Sequence, residues 1–308
     1  MRIAGVVLAL ALVANAPPPS ASPPATLPDS EIIQGRLEHD QRMTVPVFIS
    51  GRGPYDFIVD TGSQRSIIAA SVAARLALKP SRKLRIVDIG GRQEVATVEA
   101  DEIGIGSRSF YHLILPVVED ENLGAEGVIG TDNLQDQRVL IDFARNRMAV
   151  GNTRSLGGNA GYEIVVVARR KSGQLIITEA TIDGIRAAVL IDTGAVTSIG
   201  NRALQRALSH RNPSQQVTLV SITGAEIVAD IGLPKRLDIG AVGITNLVVA
   251  YADSPVFPAL GLADRPALML GMRELRLFKR VAIDFSSRKV LFDLPAQFDQ
   301  PQLSAPPH

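Results

Sequence analysis

The sequence has no cysteine and no tryptophan, and aromatic residues make up only 4% of its 308 residues. Without cysteine the protein can form no disulfide, no zinc–thiolate site and no thiol nucleophile. Walker A, His-Glu-x-x-His and Gly-x-Ser-x-Gly motifs are also missing, which argues against P-loop, zinc-protease and serine-hydrolase chemistry. The histidines are scattered without ligand spacing, so we expect no histidine-based metal site; they are His39, His112, His210 and His308.

The chain also lacks an excess of charge of one sign. Its net charge is +1, and lysine and arginine occur mostly singly along the sequence. Because phosphate binding requires a concentrated basic face, we expect no nucleic-acid partner. Hydrophobic residues make up 46% and charged residues 20%, which is typical of a globular protein with a buried core. The length is sufficient for two domains.

The N-terminus contains an apolar run from Ile3 to about Ala16, preceded by a single arginine. The run ends in Ala-Asn-Ala, a small-x-small pattern, and predicts a signal peptide over residues 1–22 and an exported protein, periplasmic or secreted. Because Pro17 would directly follow the cut, a later cleavage site and an uncleaved anchor stay open as alternatives. A Pro-rich linker follows at 23–30, and no later segment is apolar enough to predict an integral membrane domain.

The rest of the chain contains two copies of one pattern. Asp60-Thr61-Gly62 returns as Asp192-Thr193-Gly194, an offset of 192 − 60 = 132 residues. The offset grows in small steps to 283 − 141 = 142, as expected when loops gain residues after a duplication. The further matches, in order, are Ser66-Ile67 with Ser198-Ile199, Ile103-Gly104 with Ile239-Gly240, VIG at 128–130 with MLG at 269–271, and IDF at 141–143 with IDF at 283–285.

Each copy reads as a series of β-hairpins. A hairpin precedes each Asp-Thr-Gly, and the second one turns on Asp183-Gly184, a strong hairpin signal. A short helical segment follows each Asp-Thr-Gly, ASVAARLAL in the first copy and NRALQRALSH in the second. We therefore predict a mainly β, bilobal fold, with a first lobe at 31–152, an interlobe linker at 153–161, a second lobe at 162–296 and a disordered tail at 297–308.

The paired Asp-Thr-Gly tripeptides explain why a charged residue follows an apolar strand. If the copies pack about a pseudo-two-fold axis, equivalent residues near the axis meet, and Asp60 faces Asp192. Two carboxyls in contact do not both ionise, so the pKa of one rises and the pair shares a proton. Such a pair can act as a base toward water and as an acid toward a carbonyl, so we expect Asp60 and Asp192 to be catalytic.

The pattern apolar-Asp-Thr-Gly-[Ser/Ala]-x-x-Ser-Ile, followed later by apolar-apolar-Gly, resembles the retropepsin-like and pepsin-like aspartic peptidases. It occurs at 58–67 with Gly130 and at 190–199 with Gly271, and the likeness covers roughly residues 31–295. The resemblance implies two retropepsin-like β-barrel lobes, endopeptidase activity on a peptide or protein substrate in extended conformation, and no cofactor. It also implies that the dyad is braced by Thr61 and Thr193, which bond across it, and by Gly62, Ser63 and Gly194.

Two glycine-rich hairpin tips resemble the flaps of retropepsins, in which each half contributes one. The single flap tyrosine of pepsins has no counterpart here. We expect both tips to be mobile and to bind substrate, with ordinary surface hairpins as the alternative. The tip residues are Ile89, Gly90 and Gly91 in the first copy, and Ile222, Thr223 and Gly224 in the second.

The copies differ beside the aspartates, where Ser63 in the first corresponds to Ala195 in the second. Because only the first lobe can place a hydroxyl there, we expect a less depressed dyad pKa and a mildly acidic pH optimum.

Three functions are compatible with the sequence. An exported aspartic endopeptidase accounts for both intact Asp-Thr-Gly motifs. A catalytically weak or inactive peptide-binding module of the same fold would use only the cleft, by strand addition. A structural protein of the envelope would use neither the Asp-Thr-Gly motifs nor the cleft. A chain with both lobes needs no partner to complete the dyad, so we expect a monomer.

Overall fold

The structure is a computed structural model, and it describes residues 36–37, 43–106, 108–208 and 215–295. The predicted signal segment at 1–22, the linker at 23–30 and the tail at 297–308 lie outside the described residues. Within the described ranges, no helix is both long and apolar enough to cross a membrane.

Short strands dominate the first half of the chain, as the hairpin pattern predicts. They are β1 (Arg36–Leu37), β2 (Met43–Ile49), β3 (Arg52–Val59), β4 (Ile67–Ala69), β5 (Lys79–Val87), β6 (Arg92–Ile105), β7 (Arg108–Val118), β8 (Gly127–Ile129), β9 (Arg138–Asp142) and β10 (Arg147–Gly151). The helices of this half are α1 (Ala70–Arg75), α2 (Asp120–Leu123) and a 3-10 turn at Thr131–Asn133.

The second half repeats this arrangement. Its strands are β11 (Ile164–Val167), β12 (Arg169–Lys171), β13 (Gln174–Ile182), β14 (Ile185–Ile191), β15 (Ser198–Asn201), β16 (Gln216–Val220), β17 (Glu226–Gly232), β18 (Arg236–Ile239), β19 (Val242–Thr245), β20 (Val249–Ala252), β21 (Ala267–Leu270), β22 (Arg280–Asp284) and β23 (Lys289–Asp293). Its helices are α3 (Arg202–Ala207), α4 (Val256–Ala259) and α5 (Met272–Leu275). A short helix thus follows each Asp-Thr-Gly, as predicted.

The strands of the first half form a closed sheet around an apolar core. Their order is β1-β2-β3-β8-β4-β7-β6-β5, and a further pairing of β2 with β6 closes the sheet on itself. Successive side chains of a strand point to opposite faces, and β2 accordingly turns Val45, Val47 and Ile49 inward, each with no exposed surface. The predicted β-barrel lobe is confirmed.

The second half has the sheet order β16-β17-β20-β15-β21-β14-β13-β18-β19, with β12 also paired to β13. Its pairing of β13 with β18 corresponds to that of β2 with β6. The hairpin before the second Asp-Thr-Gly turns as predicted, because Asp183 (φ 47°) and Gly184 (φ 81°) both adopt the left-handed conformation that a tight hairpin turn requires.

A third sheet joins the two halves, a feature that the division into two lobes does not anticipate. Its order is β10-β9-β22-β23-β11, so strands of both halves contribute. Strands β9 and β22 are antiparallel and end in the Ile-Asp of the two IDF repeats, with Leu140 opposite Ala282. Because equivalent strands pair with each other, the pseudo-two-fold axis passes between them.

A fully buried ion pair connects this shared sheet to the linker between the lobes. Arg138 on β9 donates from Nε (3.1 Å) and Nη2 (2.7 Å) to Oδ2 of Asp284 on β22. The same guanidinium donates to the Gly158 carbonyl and to Oδ1 of Asn159 (2.6 Å), both in the linker. Burial raises the pKa of Asp284, but hydrogen bonds, first from Thr153 and also from Arg138, outweigh it and lower the pKa to about 2. Asp284 is therefore ionised at neutral pH beside a buried cation.

Substituting Arg138→Leu leaves the Asp284 carboxylate buried without its cation. We expect the free energy of unfolding at pH 7 to fall by about 3 kcal/mol or more, as for other buried ion pairs that lose one partner. Chemical denaturation followed by circular dichroism measures this loss.

Arg236→Leu is the matched control for that experiment. Arg236 contacts Asp238 at 2.6 Å, but the two side chains are 55% and 38% exposed. An exposed ion pair contributes at most about 1 kcal/mol. Equal destabilisation by the two substitutions would contradict the role of the buried pair in joining the lobes.

Candidate active site

Each aspartate of the repeated tripeptide directly follows a buried strand that lies parallel to a neighbour. β3 pairs with β8 just before Asp60, and β14 pairs with β21 just before Asp192. The pairing continues for one more residue, because the N–H of Asp60 donates to the Ile129 carbonyl (2.9 Å) and that of Asp192 to the Leu270 carbonyl (3.0 Å). The two sheets therefore fix the backbone of both acids.

Both loops fold back onto their own aspartate. In each one, Oδ1 of the aspartate accepts hydrogen bonds from the N–H groups of the second and third residues after it. The donors to Asp60 are Gly62 (2.7 Å) and Ser63 (3.0 Å), and the donors to Asp192 are Gly194 (3.0 Å) and Ala195 (3.1 Å). Such bonds favour the ionised form of a carboxyl and fix its orientation.

The threonines tie the two loops to each other. Oγ1 of Thr61 donates to the Ile191 carbonyl (2.7 Å), and Oγ1 of Thr193 donates to the Val59 carbonyl (2.5 Å). The Thr61 N–H donates to Oγ1 of Thr193 (3.1 Å), and the Thr193 N–H donates to Oγ1 of Thr61 (3.3 Å). Both threonines are buried, so water does not reach these groups and each depends on the opposite loop for its hydrogen-bond partner.

Each loop needs glycine because it closely approaches the opposite aspartate. A Cβ on Gly62 would lie 2.6 Å from Cγ of Asp192. A Cβ on Gly194 would lie 2.3 Å from Cγ of Asp60. Neither glycine adopts the left-handed conformation, so the requirement is for space and not for backbone freedom. The structure thus brings the two predicted catalytic acids together across the axis.

The two carboxyls have different surroundings. Asp192 is 5% exposed, whereas Asp60 is half-buried. Burial raises the pKa of Asp192 well above its ordinary value, and the charge of Asp60 and a hydrogen bond with it raise that pKa further. The N–H donors of Ala195 and Gly194 oppose the shift without reversing it. The proton shared by the pair therefore favours Asp192.

The structure corrects the expectation for the hydroxyl of Ser63. Oγ of Ser63 donates to the carbonyl of Arg65 (2.8 Å), within the same turn, and it is the N–H of Ser63 that donates to Asp60. Serine often satisfies its hydroxyl locally in this way in a turn. The difference between the two acids consequently comes from burial and not from the exchange of Ser63 for Ala195.

A polar contact behind each loop connects it to the apolar-apolar-Gly segment. In both halves the serine of the repeated Ser-Ile accepts from the glycine N–H and donates to a carboxylate. The sets are Ser66 with Gly130 (3.0 Å) and Asp132 (2.9 Å), and Ser198 with Gly271 (3.0 Å) and Glu274. Sequence reasoning missed the two acids, although 274 − 132 = 142 is the offset of the adjacent IDF repeat.

Gln174 is another contributor that the sequence analysis missed. It begins β13 in the second half, is 2% exposed, and donates from its amide to the Gly62 carbonyl in the loop of the first half. The position precedes the predicted hairpin, and nothing in the local sequence distinguishes it from an ordinary strand terminus. The second lobe thus holds the first loop through a side chain as well as through Thr193.

A cleft of about 420 Å³ opens beside the two carboxyls. Its wall on the second-lobe side is mostly apolar and continues into the buried cluster of that lobe. The apolar residues of this wall are Ala195, Val196, Ile199, Leu219, Val220, Ile222, Val256 and Met269. Among the described residues, no group of three or more histidine, aspartate or glutamate side chains is arranged to hold a metal ion. The site thus combines two acids with space for an apolar chain.

Both predicted flaps are turns built around a polar side chain. In the first tip, Oδ1 of Asp88 accepts from the N–H groups of Gly90 and Gly91, both at 2.9 Å. In the second tip, Oγ of Ser221 accepts from the N–H of Thr223 (3.3 Å), and Gly224 takes the left-handed conformation (φ 79°). These side chains hold each tip in a defined conformation.

The two tips also contact each other beside the cleft. Oγ1 of Thr223 donates to Oδ2 of Asp88 at 2.6 Å. A Cβ on Gly90 would lie 2.7 Å from the Ala225 carbonyl oxygen, so this glycine permits the approach. Ile89 and Ile222 line the cleft, and Ile89 packs against the apolar cluster of the opposite lobe. The six predicted flap residues therefore belong to two tips that meet over one cleft.

The two duplicated β-lobes, the shared sheet and the crossed Asp-Thr-Gly loops define the class of bilobal aspartic proteases. Two family models agree: residues 45–136 match "gag-polyprotein putative aspartyl protease", and residues 178–273 match "aspartyl protease". Asp60 lies in the first match and Asp192 in the second. The chain belongs to the retropepsin-like aspartic peptidases and has one family domain in each of its two lobes. No curated protein matches the chain.

The crossed threonine bonds can be tested by the substitution Thr61→Val. It keeps the shape of the side chain but leaves the Ile191 carbonyl and the Thr193 N–H without their partner. We expect the free energy of unfolding to fall by about 2 kcal/mol, the cost of unsatisfied buried polar groups. Urea denaturation measures the change.

Thr245→Val provides the control, because it replaces the same hydroxyl by a methyl group at an exposed position of β19. Its effect should stay within about 0.5 kcal/mol. If Thr61→Val were no more destabilising than Thr245→Val, the threonines would not hold the two loops together.

Proposed function

We propose that the protein is an aspartic endopeptidase that hydrolyses peptide bonds in the cleft between its lobes. The contact between Asp60 and Asp192, with the raised pKa of Asp192, is the observation that carries this proposal. Family membership supports a protease-type function in general. The paired acids support the particular chemistry, because one acid retains a proton under conditions in which the other is ionised.

In the proposed reaction, the Asp60 carboxylate takes a proton from a water molecule, and the water oxygen attacks the carbonyl carbon of the scissile bond. The Asp192 carboxyl donates its proton to the carbonyl oxygen, which gives a neutral tetrahedral gem-diol. Asp60 then passes the proton it took to the leaving nitrogen. The C–N bond breaks, and a gem-diol proton returns to Asp192, so the pair is restored with one shared proton.

The substrate lies in the cleft as an extended chain between the two flap tips and the carboxyls. The apolar wall of the second lobe favours apolar side chains next to the scissile bond, because their burial there removes apolar surface from water. Opening of the Asp88–Thr223 contact admits the chain, and the tips then close over it. Thr61, Thr193 and the glycines act by keeping the acids in position.

We further propose that the protein acts outside the cytoplasm, in the periplasm or as a secreted protein. This rests on the apolar N-terminal run and its small-x-small end. Since both aspartates come from one chain, a monomer is sufficient for activity.

The proposal predicts that Asp60→Asn and Asp192→Asn each abolish cleavage of a mixed peptide library. Either change removes the pair's ability to hold one ionised and one protonated carboxyl, and we expect kcat to fall by about 10³-fold or more. Product formation is followed by mass spectrometry, and inhibition of the wild type by a statine-type transition-state mimic provides a second readout.

Asp101→Asn is the control, because it makes the same change at an exposed carboxyl of β6 in the first lobe. It should cleave as the wild type does. Cleavage at the wild-type rate by either dyad variant would refute the assignment. A wild-type protein that binds peptides without cleaving them would support the binding-module alternative instead.

The pH dependence of kcat follows from the shared proton. The pair becomes doubly protonated in strong acid and loses its last proton as the pH rises past the pKa of Asp192. Since burial first and Asp60 second raise that pKa, activity should extend to mildly acidic pH. We expect a bell-shaped profile with its maximum at about pH 4–6. A maximum at about pH 2, close to the lower pKa values known for carboxyl dyads, would contradict the account.

A further inference from the structure

The strand that leads into the first flap is strongly basic. β5 forms the edge of the first-lobe sheet and pairs with β6 alone. In the hairpin formed by β5 and β6, Lys79 contacts Glu99 at 3.9 Å, and this is the one ion pair that a cation of the hairpin makes among the described residues. The basic residues of the hairpin, all exposed, are Lys79, Arg82, Lys83, Arg85 and Arg92. Counting charges over the whole chain hides this local concentration.

The equivalent strand of the second lobe is neutral. Val87 and Ile89 of the first flap correspond to Val220 and Ile222 of the second, an offset of 220 − 87 = 133. Residues 82–87 and 215–220 also alternate between exposed and covered positions in the same way. At the exposed positions of Arg82, Lys83 and Arg85, the second lobe has Gln215, Gln216 and Thr218.

Protection of a sheet edge does not account for these charges. Lysine and arginine on an edge strand deter unwanted pairing with other chains. β16 is also the edge of its sheet and carries no charged residue, so the second lobe manages its edge without them. The charges therefore serve a purpose specific to the first flap.

The basic strand is continuous with the cleft. Arg85 lies two residues before Val87, which lines the cleft, and alternate residues of a strand share one face. In the second lobe the counterpart of Arg85, Thr218, itself lines the cleft. Glu94 is opposite Arg85 in the register and Arg92 is opposite Val87, so this face keeps a net positive charge.

We propose that β5 binds an acidic stretch of the substrate polypeptide where it leaves the cleft, so that the enzyme selects proteins with acidic residues beside the apolar scissile segment. This inference rests on the proposed function and adds a substrate class to it. The free edge offers backbone donors and acceptors to an extended chain, and the cations complement its carboxylates. An anionic lipid surface would match the cations but would leave the backbone groups of the edge unused.

The test replaces the cations by the residues of the second flap: Arg82→Gln, Lys83→Gln and Arg85→Thr in one triple variant. Two peptides share an apolar scissile core and differ in their flanks, which contain aspartate and glutamate or asparagine and glutamine. We expect the triple variant to lose about tenfold in kcat/KM for the acidic peptide, mainly through KM, and less than about twofold for the neutral one. Added salt should reduce the wild-type preference for the acidic peptide.

The control variant is Arg145→Gln, Arg288→Gln and Lys289→Gln, which removes two cations from turns of the shared sheet and one from the start of β23. Both triple variants have a net charge of 1 − 3 = −2, so a general charge effect would alter both equally. Equal behaviour of the two triple variants, or no wild-type preference between the peptides, would overturn the proposal.

A binding measurement separates this inference from the proposed function. If the wild type cleaves neither peptide, anisotropy of a labelled acidic peptide with the Asp60→Asn protein still tests β5, and the three substitutions should weaken Kd about tenfold. Unchanged Kd would overturn the proposal. If the β5 triple variant lost binding to phosphatidylglycerol vesicles but still selected the acidic peptide as the wild type does, the proposal would be overturned in favour of a lipid surface.

Discussion

The approach of two carboxyls across the pseudo-two-fold axis is the constraint on which the rest of the structure depends. It explains why each loop has glycine after threonine, since a Cβ on Gly62 or Gly194 would collide with the opposite acid. It also explains the buried threonines, whose crossed hydrogen bonds hold the two loops at the separation that the acids require. The parallel strand pairs and the shared sheet supply the rigid support behind them. A charged residue at the end of a buried strand is stable here because the other acid shares its proton.

The two halves are similar without being equivalent, and the differences concern charge. One acid of the pair is buried and the other is half-buried, so the proton has a preferred carrier. Arg138 crosses to Asp284 in the opposite half, whereas its counterpart Arg280 contacts Asp293 within its own half at 2.5 Å. The first flap has a basic edge strand and the second a neutral one. Duplication thus provided the symmetric framework, and later substitutions gave each half its own electrostatic surroundings.

Much of this arrangement could be predicted from the sequence because the duplication provides internal evidence. The matched offsets identified the lobes, and two strands that end in Asp-Thr-Gly identified the acids. The Asp183-Gly184 turn was predictable because its chemistry is local. The shared sheet was not, since pairing of β9 with β22 depends on packing between residues far apart in the chain. The hydroxyl of Ser63 was assigned wrongly, because a local bond to Arg65 competes with the carboxylate and spacing alone does not decide between them.

The central claim is that Asp60 and Asp192 share one proton, held preferentially by Asp192. Carboxyl ¹³C NMR of the aspartate-labelled protein tests it most directly, with each resonance assigned through the single asparagine variants. The account predicts that Asp192 titrates well above the ordinary range of an aspartate, and that removing the charge of Asp60 lowers its pKa while burial keeps part of the shift. Independent titration of both carboxyls in the ordinary range, with no response of Asp192 to the change at Asp60, would contradict it.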